Sequence, residues 1–462
     1  MIHKKFNKIS ILIPTQDVYN NFIETNAFSD LEKNFNVSYV LREDLIDSKS
    51  LKNKNFYKND NPKNQEKHAF RKLLLMYRNI NKSSTFLFRI KRFYYPLNFN
   101  ITYIPNLKNL SLFRKLKKIL FFLIKSLINN FRYFKLVFLS SNIIYKNFSE
   151  KFFRVNKVNK ELFKTLDDLK TELLIFPYSG TNTESDQIIQ YCKNKNCKSY
   201  FITNNWDNLS SKSVLEEKPN YVGVWGQQSK NHAIDIQNIN PPDVFLIGSP
   251  RFDLIKKVQS TNGSKNNYVL FLGHLFDWKE EDALKILDDV IDKNNNILGN
   301  IKILYRPHPQ RINRIRSTSN IFKHIEIDEE LKHEKTFWPN NENLYEKIHN
   351  SIFVVGTLTS ALLESVMAYK KYLLLTYDEK NDFFSQHKLN LQYTHVKEIH
   401  KISTVTFCKN KLDLEKDFLN LFKDYEINDF QKIDGEIKYF LENSIKDKTF
   451  SKLLFKSVEN LN

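Results

Sequence analysis

The sequence predicts an α/β protein of two Rossmann-like domains facing each other across a cleft, with a basic helical insertion in the first. Three observations carry this reading. Short apolar runs ending in Gly, Asn or Pro alternate with stretches of helical spacing, the pattern of parallel βαβ units. The alternation stops at a polar segment, "KVQSTNGSKNN" (257–267), and then restarts. Positive charge is concentrated: residues 51–150 hold 21 basic and 3 acidic side chains, residues 151–462 hold 44 and 42.

The elements follow in chain order. "SILIP" (9–13) reads as a first strand and "VSYVL" (37–41) as a second, with helical spacing between them. After the basic block, "TELLIFPY" (171–178), "SYFITNN" (199–205), "YVGVWG" (221–226) and "VFLIGSP" (244–250) read as further strands. The segment "TESDQIIQYCKNKN" between the first two carries a capping Ser or Thr and then helical periodicity. Beyond the polar segment, "YVLFLG" (268–273), "IKILYR", "SIFVVG" (351–356) and "YLLLTY" are strands, with helices such as "TSALLESVMAYKK" between them. The expected domains are 1–256 (insertion at about 51–150), a linker at 257–267, a second domain at 268–410, and helices over 411–462.

Composition bounds the function classes. Three cysteines among 462 residues, none in a CxxC or Cys/His spacing, are too few for a disulfide framework and point to a reducing, cytoplasmic compartment. The apolar run near the start is too short for a signal peptide, and no run is long enough to span a membrane. The net charge of +19 lies almost wholly in the basic block, which implies an anionic partner for it. No recognition motif accompanies the charge, so nucleic acid is not expected as a partner.

Open α/β sheets bind ligands beyond the carboxyl ends of their strands, and three such loops stand out. In "ILYRPHPQR" (303–311), Arg306 offers a fixed cation and His308 one or two ring hydrogens. Pro307 and Pro309 stiffen the loop around that histidine. In "VVGTLTSALLE" (354–364), a Gly-Thr turn at Gly356 and Thr357 opens a helix near Thr359 and Ser360. Helix-start amides attract anions, and Glu364 lies about one turn on, where a carboxylate can accept ribose hydroxyls. In "FITNNWDNLSSK" (201–212), Asp207 follows a strand and a tryptophan, and Asp253 follows "GSPRF" at the end of the first domain. Both can equally be turn or cap residues, Asp253 the more so. Asp17, in the loop after the first strand, is a further candidate base.

Taken together, "NWDNLSSK", "VWGQQSKNHA", "GSPRFD", "YRPHP" and "GTLTSALLE" resemble bacterial GT-B-type glycosyltransferases of surface-polysaccharide synthesis. The group that includes CDP-glycerol glycerophosphotransferase-like and capsule transferases is similar over roughly residues 170–380. The resemblance implies a GT-B-like fold. It also implies that His308, Thr357, Thr359 and Ser360 hold the donor's phosphates, with Glu364 on its ribose; Arg306 and Gly356, from the same two loops, count with these as donor-binding candidates. His308 counts with the catalytic group as well. The paired Gly-rich donor loop of many sugar transferases is missing.

The chemistry expected is transfer of a sugar or polyol phosphate from a nucleotide-activated donor to a hydroxyl of a glycan or lipid-linked acceptor. Fixed cations and amides would stabilise the leaving phosphate, and Asp17 or Asp207 would take the acceptor's proton. With no DxD motif or carboxylate cluster, neither a metal nor a tightly bound cofactor is expected. A sugar-nucleotide epimerase of the same fold and a non-enzymatic membrane- or polyanion-binding protein are the alternatives. In "FRKLKKILFFLIKSLINNFRYFK" (113–135), helical spacing puts Arg114, Lys117, Lys118, Lys125, Arg132 and Lys135 on one face and apolar residues opposite. That pattern suits a helix lying on an anionic membrane, here the inner face of the plasma membrane. It equally suits a helix packed on the first domain with its basic face in water.

Overall fold

The computed structural model describes residues 6–45, 51–58, 65–94, 111–152, 159–178, 183–259, 268–274, 278–308, 322–328, 330, 341–377, 392–444 and 447–461. Two parallel sheets organise the chain. The first has seven strands in the order β3-β2-β1-β4-β5-β6-β7. They are β1 (Lys8–Ile13), β2 (Asn36–Arg42), β3 (Lys54–Tyr57), β4 (Leu173–Tyr178), β5 (Lys198–Thr203), β6 (Tyr221–Val224) and β7 (Val244–Leu246). The second has six, in the order β10-β9-β8-β11-β12-β13. These are β8 (Tyr268–Leu272), β9 (Lys302–Arg306), β10 (Ile325–Ile327), β11 (Val354–Gly356), β12 (Tyr372–Leu375) and β13 (Val405–Cys408). Both orders reverse once beside the first strand of the sheet, the doubly wound arrangement. The chain is therefore α/β with two Rossmann-like domains.

The strands are apolar on both faces because helices cover both. In β1, Ile9, Ile11 and Ile13 enter one core, with Phe22, Phe28 and Tyr39. Leu12 enters the other, with Leu174, Phe176 and Phe201. Every apolar run read as a strand from the sequence is one. Three strands were not anticipated: β3, β10 and β13.

The basic insertion contributes α1 (Gln65–Arg78), α2 (Ser84–Tyr94) and α3 (Leu112–Ser140). Leu73, Leu74, Phe86, Ile90, Leu136 and Leu139 build a separate small core that joins them. The domains meet through α4 (Pro250–Gln259), so the helix continues through residues 257–259, where a linker was expected. Residues 260–267, the rest of that linker, lie outside the described residues. In the second domain α5 (Asn341–Asn350) and α6 (Ala361–Met367) flank β11. Trp206, Trp225 and Phe252 of the first domain share one apolar cluster with Leu270, Leu362 and Tyr372 of the second. The chain then runs through α7 (Phe430–Lys438) and returns to the first domain. There α8 (Phe450–Glu459) buries Phe450, Leu454 and Val458 against β1.

Helix α3 is not packed as a core helix. Its last turns touch α1: Leu136 and Leu139 are buried, and Lys135 lies 5.5 Å above the Phe70 ring. Upstream, Phe113 is 77% exposed, and Leu127 and Phe131 are each 68% exposed. Leu116, Leu120, Leu123, Ile124 and Phe134 are exposed too, as are Arg114, Lys117, Lys118 and Arg132. Burial of the apolar face on the first domain is thus ruled out for these residues. Among the described residues, no helix is long and apolar enough to cross a membrane.

Candidate functional site

A cavity of about 720 Å³ opens where three parts of the chain converge. The first domain supplies Asn205, Trp206, Asp207, Ser211 and Lys212, just past the carboxyl end of β5. The second supplies Leu358, Thr359 and Ser360, just past β11, together with Tyr393 and His395. The insertion supplies Lys72, Leu73, Met76 and Arg89. Two strand ends facing each other across a crevice are where a doubly wound fold binds its ligands.

Asp207 stands at the N-cap position of the short helix Asn208–Ser211, yet its side chain caps no backbone amide. Instead Ser211 Oγ donates to Asp207 Oδ2 at 2.5 Å, and Lys212 Nζ lies 4.0 Å from the same oxygen. Oδ1 is enclosed without a hydrogen-bond partner. Burial pushes the carboxyl up, but Lys212, His395, Ser211 and Arg89 together outweigh it and hold Asp207 below the usual aspartate range. It is therefore ionised at neutral pH. His395 packs edge-on to Trp206 with ring centroids 4.9 Å apart, and its Nδ1 meets Ser210 Oγ at 3.3 Å. Burial, aided by Arg89 and Lys212 against the pull of Asp207, pushes His395 down to about 4. It sits in the wall neutral.

The other expected site residues are dispersed. Thr359 and Ser360 line the cavity, but α6, which they precede, has only seven residues and Ser360 makes no capping bond. Thr357 is buried behind them; its carbonyl accepts from Tyr372 Oη at 2.9 Å and its Oγ1 has no partner. Gly356 is explained by packing, since a Cβ there would come 2.5 Å from Tyr372 Oη. Glu364 is buried, and Arg251 Nη1 holds its Oε1 at 3.1 Å. Burial raises this carboxyl and Arg251 opposes the rise. Arg251 also stacks over Trp225 at 4.9 Å and reaches Asn205 Oδ1 at 3.4 Å, so Glu364 braces the cavity wall from behind.

Arg306 is not the available cation that the sequence suggested. It is 6% exposed, paired with Asp328 and, at 2.7 Å, with Glu330, and Lys347 completes that cluster. His308 lies at the end of β9 against Gly273, where a Cβ would come 2.8 Å from the His308 amide nitrogen. It is not a lining residue of the cavity. Asp17 lies outside the lining as well and accepts from Asn204 Nδ2 at 2.7 Å. Asp253 is structural: it accepts from the Phe450 amide at 2.6 Å and from Asn443 Nδ2 at 2.9 Å. Lys72, Arg89, Lys212 and His395 were not singled out from the sequence. The only signal toward the first two was the charge of the block that carries them. Among the described residues, no group of three or more His, Cys, Asp and Glu side chains could hold a metal.

The architecture is that of GT-B-type proteins. A Listeria monocytogenes protein assigned as a UDP-N-acetylglucosamine 2-epimerase superposes with a TM-score of 0.52 at 9% identity, over 97% of this chain and 94% of that one. The Neisseria meningitidis UDP-GlcNAc 2-epimerase bound to UDP-GlcNAc gives 0.47 at 12% identity, covering 98% and 99%. The wall teichoic acid polymerase TagF, solved with CDPG, gives 0.47 at 10%, covering 98% and 88%. At these identities the likeness is one of fold. No family model matches the chain, and no curated protein matches it.

Proposed function

We propose that the protein is a transferase. It moves a sugar or polyol phosphate from a nucleotide-activated donor to a hydroxyl of a glycan or lipid-linked acceptor in surface-polysaccharide synthesis. The observation that carries this reading is the cavity at the facing strand ends, with Asp207 on one side and Thr359 and Ser360 on the other. The donor's phosphates lie toward Thr359 and Ser360. The acceptor hydroxyl approaches Asp207, whose carboxylate takes its proton as the new C–O or P–O bond forms. The bond to the nucleotide breaks, and the leaving phosphate keeps the electron pair. An epimerase would instead act on the sugar nucleotide without an acceptor.

The test is titration with UDP, CDP and GDP, followed by turnover assays on the donor that binds. A nucleoside diphosphate should bind, and Asp207→Asn should cut acceptor-dependent turnover about 10²- to 10⁴-fold while donor affinity stays within a few-fold. Absence of any nucleotide binding overturns the reading. Sugar-nucleotide conversion with no acceptor present would replace it with the epimerase.

We propose further that the exposed part of α3 holds the enzyme on an anionic membrane surface. The apolar residues that would embed and the cations that would meet lipid phosphates occupy one helix with no other cover among the described residues. The location is then the cytoplasmic face of the plasma membrane, where a lipid-linked acceptor is presented.

A further inference from the structure

The cations of α1 divide sharply by what they face. Buried Arg71 is ion-paired with Glu216. Arg78 donates to the Ser140 carbonyl at 2.7 Å and stacks over Tyr145 at 4.2 Å. Lys72 turns into the cavity and has no ion-pair partner among the described residues. Arg89 of α2 lines the same cavity and also lacks one. Lys212 completes the set from the first domain, and among the described residues the only lining carboxylate is Asp207. Among the described residues, three half-buried cations thus share one anion in a half-open cavity. Enclosed charge is costly unless matched, and the mismatch is visible in the lysines. Burial pushes the Lys72 ammonium down to about 8, with Arg89 and Lys212 adding to the effect and Asp186 opposing it. Lys212 is lowered by burial and by Arg89 against Asp207.

The position of Arg89 is fixed from both domains. Just before α2, Ser83 Oγ donates to the Ser210 carbonyl at 2.6 Å and meets Thr394 Oγ1 at 2.9 Å. The Thr394 amide donates to Thr85 Oγ1 at 3.0 Å, and Phe88 packs on Tyr393 with centroids 5.9 Å apart. The insertion is therefore stitched across the mouth of the crevice. Since Arg306 is committed to Asp328 and Glu330, the cations of the cavity among the described residues come from the insertion and Lys212.

We propose that Lys72, Arg89 and Lys212 form a clamp for a substrate's phosphate or diphosphate group, a dianion that matches their excess charge. This rests on the donor-cavity reading above. The phosphate can belong to the nucleotide donor or to a phosphate-linked acceptor. Calorimetric titration at pH 7 and low salt separates the cases, with pyrophosphate, UDP, CDP and decyl phosphate as probes on wild type, Lys72→Ala and Arg89→Ala. Circular dichroism and melting confirm that the variants fold. Each substitution should weaken binding of the matching probe about tenfold to hundredfold. Loss on UDP or CDP assigns the clamp to the donor. Loss on decyl phosphate with nucleotide affinity intact assigns it to the acceptor. If wild type binds a nucleotide while both variants match it for every phosphate probe, the clamp is overturned and the donor reading stands. If wild type binds no phosphate probe, both fall.

Discussion

His395 and His232 sit behind Asp207 as buried, neutral imidazoles, and that has a consequence for pH. His395 is pushed down to about 4 and faces Asp207, Arg89, Lys212 and Ser210. His232 is pushed down to about 3, by burial first and by His395, with Asp207 opposing. An unfolded histidine takes up its proton near pH 6.5, whereas these do so only well below. Between those values the unfolded chain binds more protons, so stability falls as pH falls. From pH 6.5 to 5 each histidine should cost about 2 kcal/mol. Melting temperature should therefore drop over that interval, and His395→Asn should flatten the drop. An equal slope in the variant would show that His395 does not titrate as described. Among these side chains the sequence disclosed only those in strand-end loops: Asp207, Thr359 and Ser360. Lys212 closes the stretch "NWDNLSSK", but His395, Lys72 and Arg89 lie in segments without a motif, and only the tertiary fold carries them to the loops. Arg306 misled because a cation at a strand end reads the same whether it faces a ligand or Asp328.

The same limit acts on whole elements. The interior strands were legible because burial on both faces demands unbroken apolar runs such as "LLIF" and "YLLL". The strands that were missed, β3, β10 and β13, all lie at sheet edges. They are three or four residues long, and sequences such as "KNFY" and "IEI" carry no run to notice. Helix α3 shows the opposite case, in which periodicity was clear but two burial outcomes fitted it. The structure leaves its upstream apolar face exposed, so vesicle binding becomes the deciding measurement. Co-sedimentation should require anionic lipid and fade as salt rises past 0.1 M, where the Debye length is about 10 Å. Each cation near the surface contributes about 1 kcal/mol. Lys117→Glu with Lys118→Glu should therefore weaken binding at least tenfold. Wild-type protein that ignores anionic vesicles at low salt and instead self-associates would assign the face to a second copy of the chain.

At the scale of the molecule, the two domains are joined twice, by α4 outward and by residues 439–459 on the return. The return segment is held by backbone bonds, Gln228 N to the Tyr439 carbonyl at 3.0 Å and Glu442 N to the Trp225 carbonyl at 2.7 Å. At Gly248, φ is +75° and a Cβ would fall 2.0 Å from Asn443 Oδ1, so glycine is required there. Asn443 in turn bonds Ser249 through both its backbone groups, accepting from N at 3.1 Å and donating to O at 3.0 Å. Asp253 ties this turn to the start of α8. The last helix is therefore part of the first domain's core although it is the most distant segment in sequence. Removing residues 449–462 takes away Phe450, Leu454 and Val458, each worth roughly 1.5–3 kcal/mol of burial. That sum approaches the whole stability of a typical domain. The truncated chain should lose cooperative melting of the first domain and become sensitive to protease there. Asp253→Ala, which strands the Phe450 amide and Asn443 and takes away the ion-pair partner of Lys256, should cost about 1–3 kcal/mol and lower the melting temperature by several degrees. Its nucleotide affinity should be unchanged, because Asp253 touches no wall of the cavity. A truncation that melts like the full chain would show that α8 is an appendage and that the first domain stands without it.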